Sequence, residues 1–294
     1  MANEVDFVKG HGAANDFILI PDLDGTMPGL DGGRIPDSLV RSLCARRTGV
    51  GADGILRVVR AKAAPEAQDQ AAAGVEWFMD YYNADGSIGQ MCGNGIRVFV
   101  RYLIAADLAD PACDIAVGTR AGVKLVRAEQ ASTSGPHADD IFTVDMGVAS
   151  VVRDDIEVSV GDRAWPAVNV DVGNPHLVVF VADPAEAGPL VDAPTWTPAQ
   201  AMPDGANIEF VQRIADDHIR MRVHERGVGE TQACGTGACA AALVAADGLE
   251  LPAVMRVDLP GGTLSVTVQP DGRVDLTGPA ELTYFGTIPV EAAN

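Results

Sequence analysis

Two short blocks of the sequence place a cysteine where acid–base chemistry can occur. Gln90-Met91-Cys92-Gly93-Asn94-Gly95 recurs, nearly half a chain later, as Gln232-Ala233-Cys234-Gly235-Thr236-Gly237. Each block runs into an apolar segment ending in Ala-Ala-Asp, at Ala105–Asp107 and Ala245–Asp247. The pattern predicts a Gly-rich turn that opens a helix, with the cysteine at the helix start. Unpaired N–H groups and the helix dipole favour an anion there. The same setting is expected to ease ionisation of the thiol. Facing each other across a cleft, two such blocks suit removal of the weakly acidic α-proton of an amino acid. A thiolate takes the proton on one face, a thiol returns one on the other, and the helix-start donors stabilise charge developing on the carboxylate.

The elements that must carry these blocks are mostly strands. Short Val- and Ile-rich segments bounded by Gly, Asp or Pro read as strands, among them Val5–Val8, Phe17–Ile20, Ile55–Val59, Val75–Tyr81, Leu177–Val181, Ile208–Val211 and Ile219–Val223. Helices are expected over Ser38–Ala45, Gly95–Asp107 and Gly237–Asp247. The Ala/Gln run Ala61–Gly74 and the polar stretch Glu129–Asp140 read as loops. Thr48-Gly49-Val50-Gly51-Ala52-Asp53-Gly54 reads as a tight turn feeding a strand, since it matches neither a P-loop nor a full GxGxxG. A weaker echo accompanies the cysteine repeat: Asn15-Asp16-Phe17-Ile18-Leu19 and Asn174-Pro175-His176-Leu177-Val178 each put Asn just before an apolar strand. Together the repeats predict a duplicated α/β unit with two related halves.

Composition narrows the function. The chain has 294 residues, 47% hydrophobic and 21% charged, and a formal net charge of −20. That balance is globular. It argues against nucleic acid and against an anionic membrane surface as partners, because both need basic patches. No run approaches transmembrane length. Five cysteines, at 44, 92, 113, 234 and 239, fit neither a disulfide framework nor zinc spacing, and no metal is expected. Cys44, Cys113 and Cys239 read as buried structural thiols. Pyridoxal phosphate would need a Schiff-base lysine. The only lysines are Lys9, Lys62 and Lys124, none beside a phosphate-cradling loop, so no cofactor is expected. Arg97 and Arg222 read as surface or inter-strand ion pairs, and His11 as a folded-in polar residue at the first turn.

Further blocks carry a family resemblance: His11-Gly12-Ala13-Ala14-Asn15-Asp16-Phe17, Asn83-Ala84-Asp85-Gly86-Ser87, Gly173-Asn174-Pro175-His176, Asn207-Ile208-Glu209-Phe210, Glu225-Arg226-Gly227 running on through Cys234, and Leu259-Pro260-Gly261-Gly262. With the two cysteine blocks, in this order, they make the chain resemble the diaminopimelate epimerases, cofactor-independent enzymes of lysine and peptidoglycan precursor synthesis. The resemblance implies an α/β (α+β) fold of two similar domains, each a mixed sheet curled around a central helix. Domains are expected over 1–147, joined by a returning strand 279–294, and over 148–278. Cys92 and Cys234 would be the acid/base pair. Gly93, Asn94, Gly235 and Thr236 would hold the reacting carboxylate. Asn15, Asn83, Asn174, Asn207, Glu225 and Arg226 would recognise amino and carboxylate groups. His176 and Glu225 would tune the thiols. The resemblance further implies a cytoplasmic homodimer acting on a small amino acid. Two departures stand out: Ala13-Ala14 where relatives often carry Leu-Gly, and Gly54 where some carry a substrate-touching Gln. Competing readings are a same-fold racemase of another amino acid such as proline, a thiol redox protein, and a non-catalytic amino-acid binder.

Overall fold

The computed structural model describes residues 3–130 and 140–290. The chain forms two units, Met1–Val144 with Pro279–Asn294, and Asp145–Gly278. The first contains β1 (Asn3–Gly12), β2 (Asn15–Pro21), α1 (Asp37–Cys44), β3 (Gly54–Arg60), α2 (Gln68–Ala72), β4 (Trp77–Asn83), α3 (Gly93–Ala105), β5 (Ile115–Thr119) and β6 (Gly122–Gln130). Strand β7 (Ile141–Val148) leads the chain into the second unit. There follow β8 (Ser150–Val160), β9 (Arg163–Asp171), β10 (Pro175–Phe180), β11 (Thr195–Thr197), β12 (Asn207–Ala215), β13 (His218–Glu225), β14 (Gly229–Thr231), α4 (Gly235–Ala245), β15 (Ala253–Leu259), β16 (Gly262–Val268) and β17 (Arg273–Pro279). The chain then returns to the first unit as β18 (Glu281–Val290).

Strand pairing displays the duplication. In the first unit neighbours run β18, β1, β2, β3, β4, β5, β6, β7. Their pairings are antiparallel, antiparallel, parallel, antiparallel, parallel, antiparallel, antiparallel. In the second, the row β8, β9, β10, β12, β13, β15, β16, β17 repeats that order of directions step for step. Thus β18, last in sequence, stands in its unit where β8 stands in the other. The short β11 and β14 add to β8 and β13.

Each mixed sheet wraps a helix. Helix α3 touches β18, β1, β2, β3 and β6, strands from both parts of its row. It is buried almost all round, with Ile96, Val98, Phe99, Val100, Leu103 and Ile104 at 1% exposure or less. Each such side chain contributes about 1.5–3 kcal/mol on burial. Helix α4 is set against β9, β10, β12, β13, β15 and β16. Its Ala238, Ala240, Ala241, Ala242 and Ala245 are buried, and their small side chains let strands approach on all sides.

The structure corrects some of these expectations and bears out another. Arg97 is not at the surface. It is fully buried on α3 and donates to Gly93 O (2.9 Å), Asn94 Oδ1 (2.9 Å) and Pro279 O (3.3 Å). Its guanidinium therefore braces the turn that holds Cys92. Arg222 does make an inter-strand pair, with Glu230 of β14 (2.6 Å). The Ala61–Gly74 run is not a plain loop but holds two 3₁₀ turns and α2. Cys113 is exposed, whereas Cys44 and Cys239 are buried. Of the polar stretch Glu129–Asp140, residues 131–139 lie outside the described residues.

Candidate active site

In the first unit Cys92 is the N-cap of α3, with extended backbone (φ −140, ψ 120), and its Sγ accepts the N–H of Gly95 at 3.4 Å. N-caps are usually Ser, Thr, Asp or Asn, whose oxygens satisfy orphan donors. Here sulfur takes that place, so it sits at the helix start where unpaired N–H groups converge. The sulfur also meets Asn15 Oδ1 (3.6 Å), which accepts in addition from Asn94 Nδ2 (3.2 Å). Asn15 Nδ2 donates to Asp53 Oδ2 (2.8 Å), and Asp16 N donates to the same oxygen (3.1 Å). Burial opposes ionisation of Asp16, but hydrogen bonds and charge from Arg46 and Lys9 outweigh it and hold its pKa at about 2. The β1–β2 turn carrying Asn15 is thus tied down on two sides.

That turn contains one of the sequence departures. Ala13 and Ala14 have φ 52 and 59, the left-handed region that glycine occupies without steric cost. Ala14→Gly should therefore stabilise the protein by about 1 kcal/mol, after the entropy of a freer unfolded chain is offset. A raised urea midpoint at unchanged m-value checks this. The other departure, Gly54, has a steric reason. A Cβ there would stand 2.5 Å from Tyr82 O and 2.8 Å from Tyr81 Cε2. The Tyr81 ring occupies the space, and its hydroxyl donates to Asn83 Oδ1 (2.7 Å), while Asn83 Nδ2 donates to Ser87 Oγ (2.9 Å).

The second unit repeats the capping. Cys234 is the N-cap of α4 (φ −121, ψ 115), and Gly237 N donates to its Sγ at 3.3 Å. The surroundings differ in charge. Burial pushes the Cys234 thiol well above its ordinary value, and Glu225 and Glu209 push it further, against smaller opposing effects of Thr236 and Gly237 N–H. The helix start alone therefore does not make this thiol acidic, contrary to the expectation from sequence. Thr236 Oγ1 lies 3.5 Å from the sulfur and accepts from Asn174 Nδ2 (3.4 Å). His176 is fully buried, with Nδ1 2.7 Å from Glu209 Oε1 and Nε2 3.0 Å from Asn174 Oδ1. Glu225 accepts the Thr231 hydroxyl. Asn207 Nδ2 donates to Pro175 O (3.4 Å), and its Oδ1 accepts the backbone N–H of Arg226 (3.0 Å). Arg226 itself is exposed, in the turn after β13, with Nη1 3.4 Å from Asp204 O.

So Asn15, Gly93 and Asn94 gather at Cys92, and Asn174, His176, Glu225, Gly235 and Thr236 gather at Cys234. Asn83 stands at the end of β4 beside Tyr81. Sequence reasoning missed Asp53 and Glu209. Glu209 left a signal: a carboxylate inside the otherwise apolar run Ile208-Glu209-Phe210-Val211, all buried. Of the remaining free thiols, Cys44 resembles Cys234 in being hard to ionise. Burial, then Asp16 and Asp53, push the Cys44 thiol up to about 12. Among the described residues no group of three or more His, Cys, Asp or Glu gathers as metal ligands. No described helix is long and apolar enough to cross a membrane.

A family model described as diaminopimelate epimerase matches residues 7–152 and 168–283. The chain belongs to the diaminopimelate epimerase family. Relatives of that name agree over nearly full length. The one from Streptomyces coelicolor is 49% identical, with 97% of this chain and 96% of the relative covered. Diaminopimelate epimerase of Thermobifida fusca is 43% identical over 97% and 98%. Similar solved structures are more distant members of the same architecture. A Bacillus anthracis phenazine biosynthesis protein of the PhzF family has TM-score 0.70 at 13% identity, covering 98% of this chain and 100% of that one. A probable proline racemase from Agrobacterium radiobacter has TM-score 0.70 at 14% identity, covering 98% and 93%. At such identities the likeness concerns the fold alone. The diaminopimelate epimerase fold, two like units of curled mixed sheet around a helix, is the one described above.

Proposed function

We propose that this chain is an epimerase that interconverts LL- and meso-diaminopimelate without a cofactor, using Cys92 and Cys234 as the acid/base pair. One observation carries the reading: the two thiols hold the same N-cap position on the two wrapped helices of a duplicated fold, each sulfur accepting a glycine N–H. A thiolate removes the α-hydrogen as a proton, and the electron pair left behind delocalises onto the carboxylate. A thiol returns a proton to the opposite face, so the centre inverts and the two sulfurs exchange protonation states. Gly93-Asn94 and Gly235-Thr236 supply the helix-start donors for the carboxylate, which binds more tightly as its charge grows. Asn15, Asn83, Asn174, Asn207, Glu225 and Arg226 read the remaining amino and carboxylate groups. The near-full-length relatives support this substrate; the likeness to a proline racemase, at 14% identity, supports only the fold. The reading also makes the enzyme a cytoplasmic homodimer, which rests on the family resemblance. Chiral analysis of LL-diaminopimelate after incubation with the protein should show the meso isomer approaching equilibrium. Inversion of proline and not of diaminopimelate would replace this reading with the racemase one.

Arg226 is suited to the far end of the substrate. Its planar fork matches a carboxylate, and it is exposed, free to meet a ligand. A lost hydrogen bond to a charged group costs roughly 1.5–3 kcal/mol, about ten- to hundredfold in specificity constant. Arg226→Met should lower, by that factor, the ratio of kcat/KM for LL-diaminopimelate to that for a monocarboxylate analogue. An unchanged ratio would remove Arg226 from substrate recognition.

A further inference from the structure

Glu209 is assigned no part in the mechanism above, yet it is fully buried beside the start of α4. A Cβ at Gly237 would stand 2.6 Å from its Oε1, so the carboxylate fits against the helix start only because residue 237 is glycine. Its Oε2 is buried with no hydrogen-bond partner among the described residues. A buried carboxylate left uncompensated costs several kcal/mol. The compensation available is His176, equally buried, whose Nδ1 is 2.7 Å from Oε1. The other ring nitrogen faces Asn174 Oδ1 at 3.0 Å. Both ring nitrogens thus face oxygen acceptors, which an imidazolium satisfies and a neutral ring satisfies on one side only. The polarity then propagates. With Oδ1 turned to His176, Asn174 presents Nδ2 to Thr236 Oγ1 (3.4 Å). With its oxygen accepting from Asn174, Thr236 has its hydrogen left for the Cys234 sulfur at 3.5 Å.

We propose that Glu209 is a positioning residue of the second thiol: it holds His176 as an imidazolium and, through Asn174, turns the Thr236 hydroxyl hydrogen onto the sulfur of Cys234. The proposal rests on the reading of Cys234 as an acid/base group, and its test does not require turnover. Glu209→Gln keeps the shape and the acceptor for Nδ1–H but removes the charge. His176 then becomes neutral, with a lone pair on Nε2. Asn174 turns its amide to donate to that lone pair, Thr236 donates to the freed Oδ1, and the sulfur loses its donor. The net charge of the Glu209–His176 pair is zero before and after, so the Coulomb effect on Cys234 nearly cancels and the hydrogen bond decides the sign. Were His176 neutral in the wild type, the same substitution would remove a net negative charge and make the thiolate easier to form. Other titratable or charged groups on strands packed against α4 include Glu225 and His224 on β13, Asp258 on β15 (held by His218 at 2.7 Å) and Arg213 on β12 (bonded to Ala245 O at the far end of the helix). The substitution leaves all of these in place.

The experiment combines ¹⁵N NMR of the His176 ring with the rate of iodoacetamide alkylation of Cys234, resolved from the other cysteines by peptide mass spectrometry. Wild-type protein should show protons on both ring nitrogens, and Glu209→Gln on Nδ1 alone. Alkylation of Cys234 at fixed pH should slow about ten- to hundredfold, the worth of a hydrogen bond to a charged group. Thr236→Val should slow it by a similar factor, and adding Glu209→Gln to Thr236→Val should slow it little more. A neutral His176 in the wild type, faster alkylation in Glu209→Gln, or full additivity with Thr236→Val would each overturn the proposal. If Glu209→Gln does not fold, the wild-type spectrum and Thr236→Val still decide it: a neutral ring or an unchanged rate refutes. Failure of the epimerase reading shows separately, as wild-type protein that does not invert diaminopimelate.

Discussion

Replacing either Cys92 or Cys234 by Ala should lower epimerisation by about 10³-fold or more, within the range that positioned acid–base groups supply. The loss is expected to be similar for the two, because inversion needs a proton removed on one face and one delivered on the other. Stability should fall by only about 1 kcal/mol, the cost of losing an N-cap acceptor. Cys44→Ala and Cys113→Ala are the controls: neither thiol caps a wrapped helix, the first being the last residue of α1 and the second lying exposed. Cys239→Ala lies on α4 itself and should cost activity modestly. Turnover and urea unfolding measured on the same samples separate chemistry from folding. Near wild-type turnover in either variant would end the two-thiol reading.

The second large effect is on stability and leaves the chemistry alone. Arg57 of β3 is 1% exposed and donates from Nε to Asp22 Oδ2 (2.7 Å) and from Nη1 to Asp80 Oδ2 (3.0 Å) and Gly33 O (2.9 Å). Asp80 also accepts from Tyr82 (2.9 Å) and Arg120 (2.5 Å). Burial works against the charge on Arg57, yet the two carboxylates raise its pKa above the ordinary value. Arg57→Met would leave Asp22 short of its cation and Asp80 with Arg120 alone. Removing one member of such a buried cluster costs about 3–5 kcal/mol, far more than the intact pairs gain over apolar replacements. A urea midpoint lowered to match, with kcat per folded molecule retained, is the expected outcome. A loss below about 1 kcal/mol would show that water reaches the cluster.

Much of this was legible in the residues for physical reasons. A cysteine followed by Gly-x-Gly and an apolar run reads as a helix start, and its repetition marked both α3 and α4. The strands with buried faces on both sides, such as Ile55–Val59 and Ile208–Val211, showed as apolar runs broken by one charged residue each, Arg57 and Glu209. Strand β8 did not, because most of Ser150–Val160 is exposed and its charged Arg153-Asp154-Asp155 breaks the alternation. Arg97 misled for a related reason: an arginine inside a buried helix is satisfied by backbone carbonyls that sequence does not display. The high Cys234 pKa was hidden too. Its causes, burial and the carboxylates of Glu209 and Glu225, arrive from β12 and β13 through the fold. Residues distant in sequence outweigh the local helix-start effect that the motif advertises.

The central claim is that two different groups remove and return the proton. It is tested most directly by incubating LL-diaminopimelate with the protein in D₂O for a small fraction of a turnover to equilibrium, then separating the isomers and weighing each. The account expects deuterium at the α-carbon of the meso product, with recovered LL substrate still carrying hydrogen, because the returning thiol has exchanged with solvent while the abstracted proton has not been handed back. Deuterium appearing equally early in recovered substrate and product would mean that one group does both steps, and would contradict the pairing of Cys92 with Cys234.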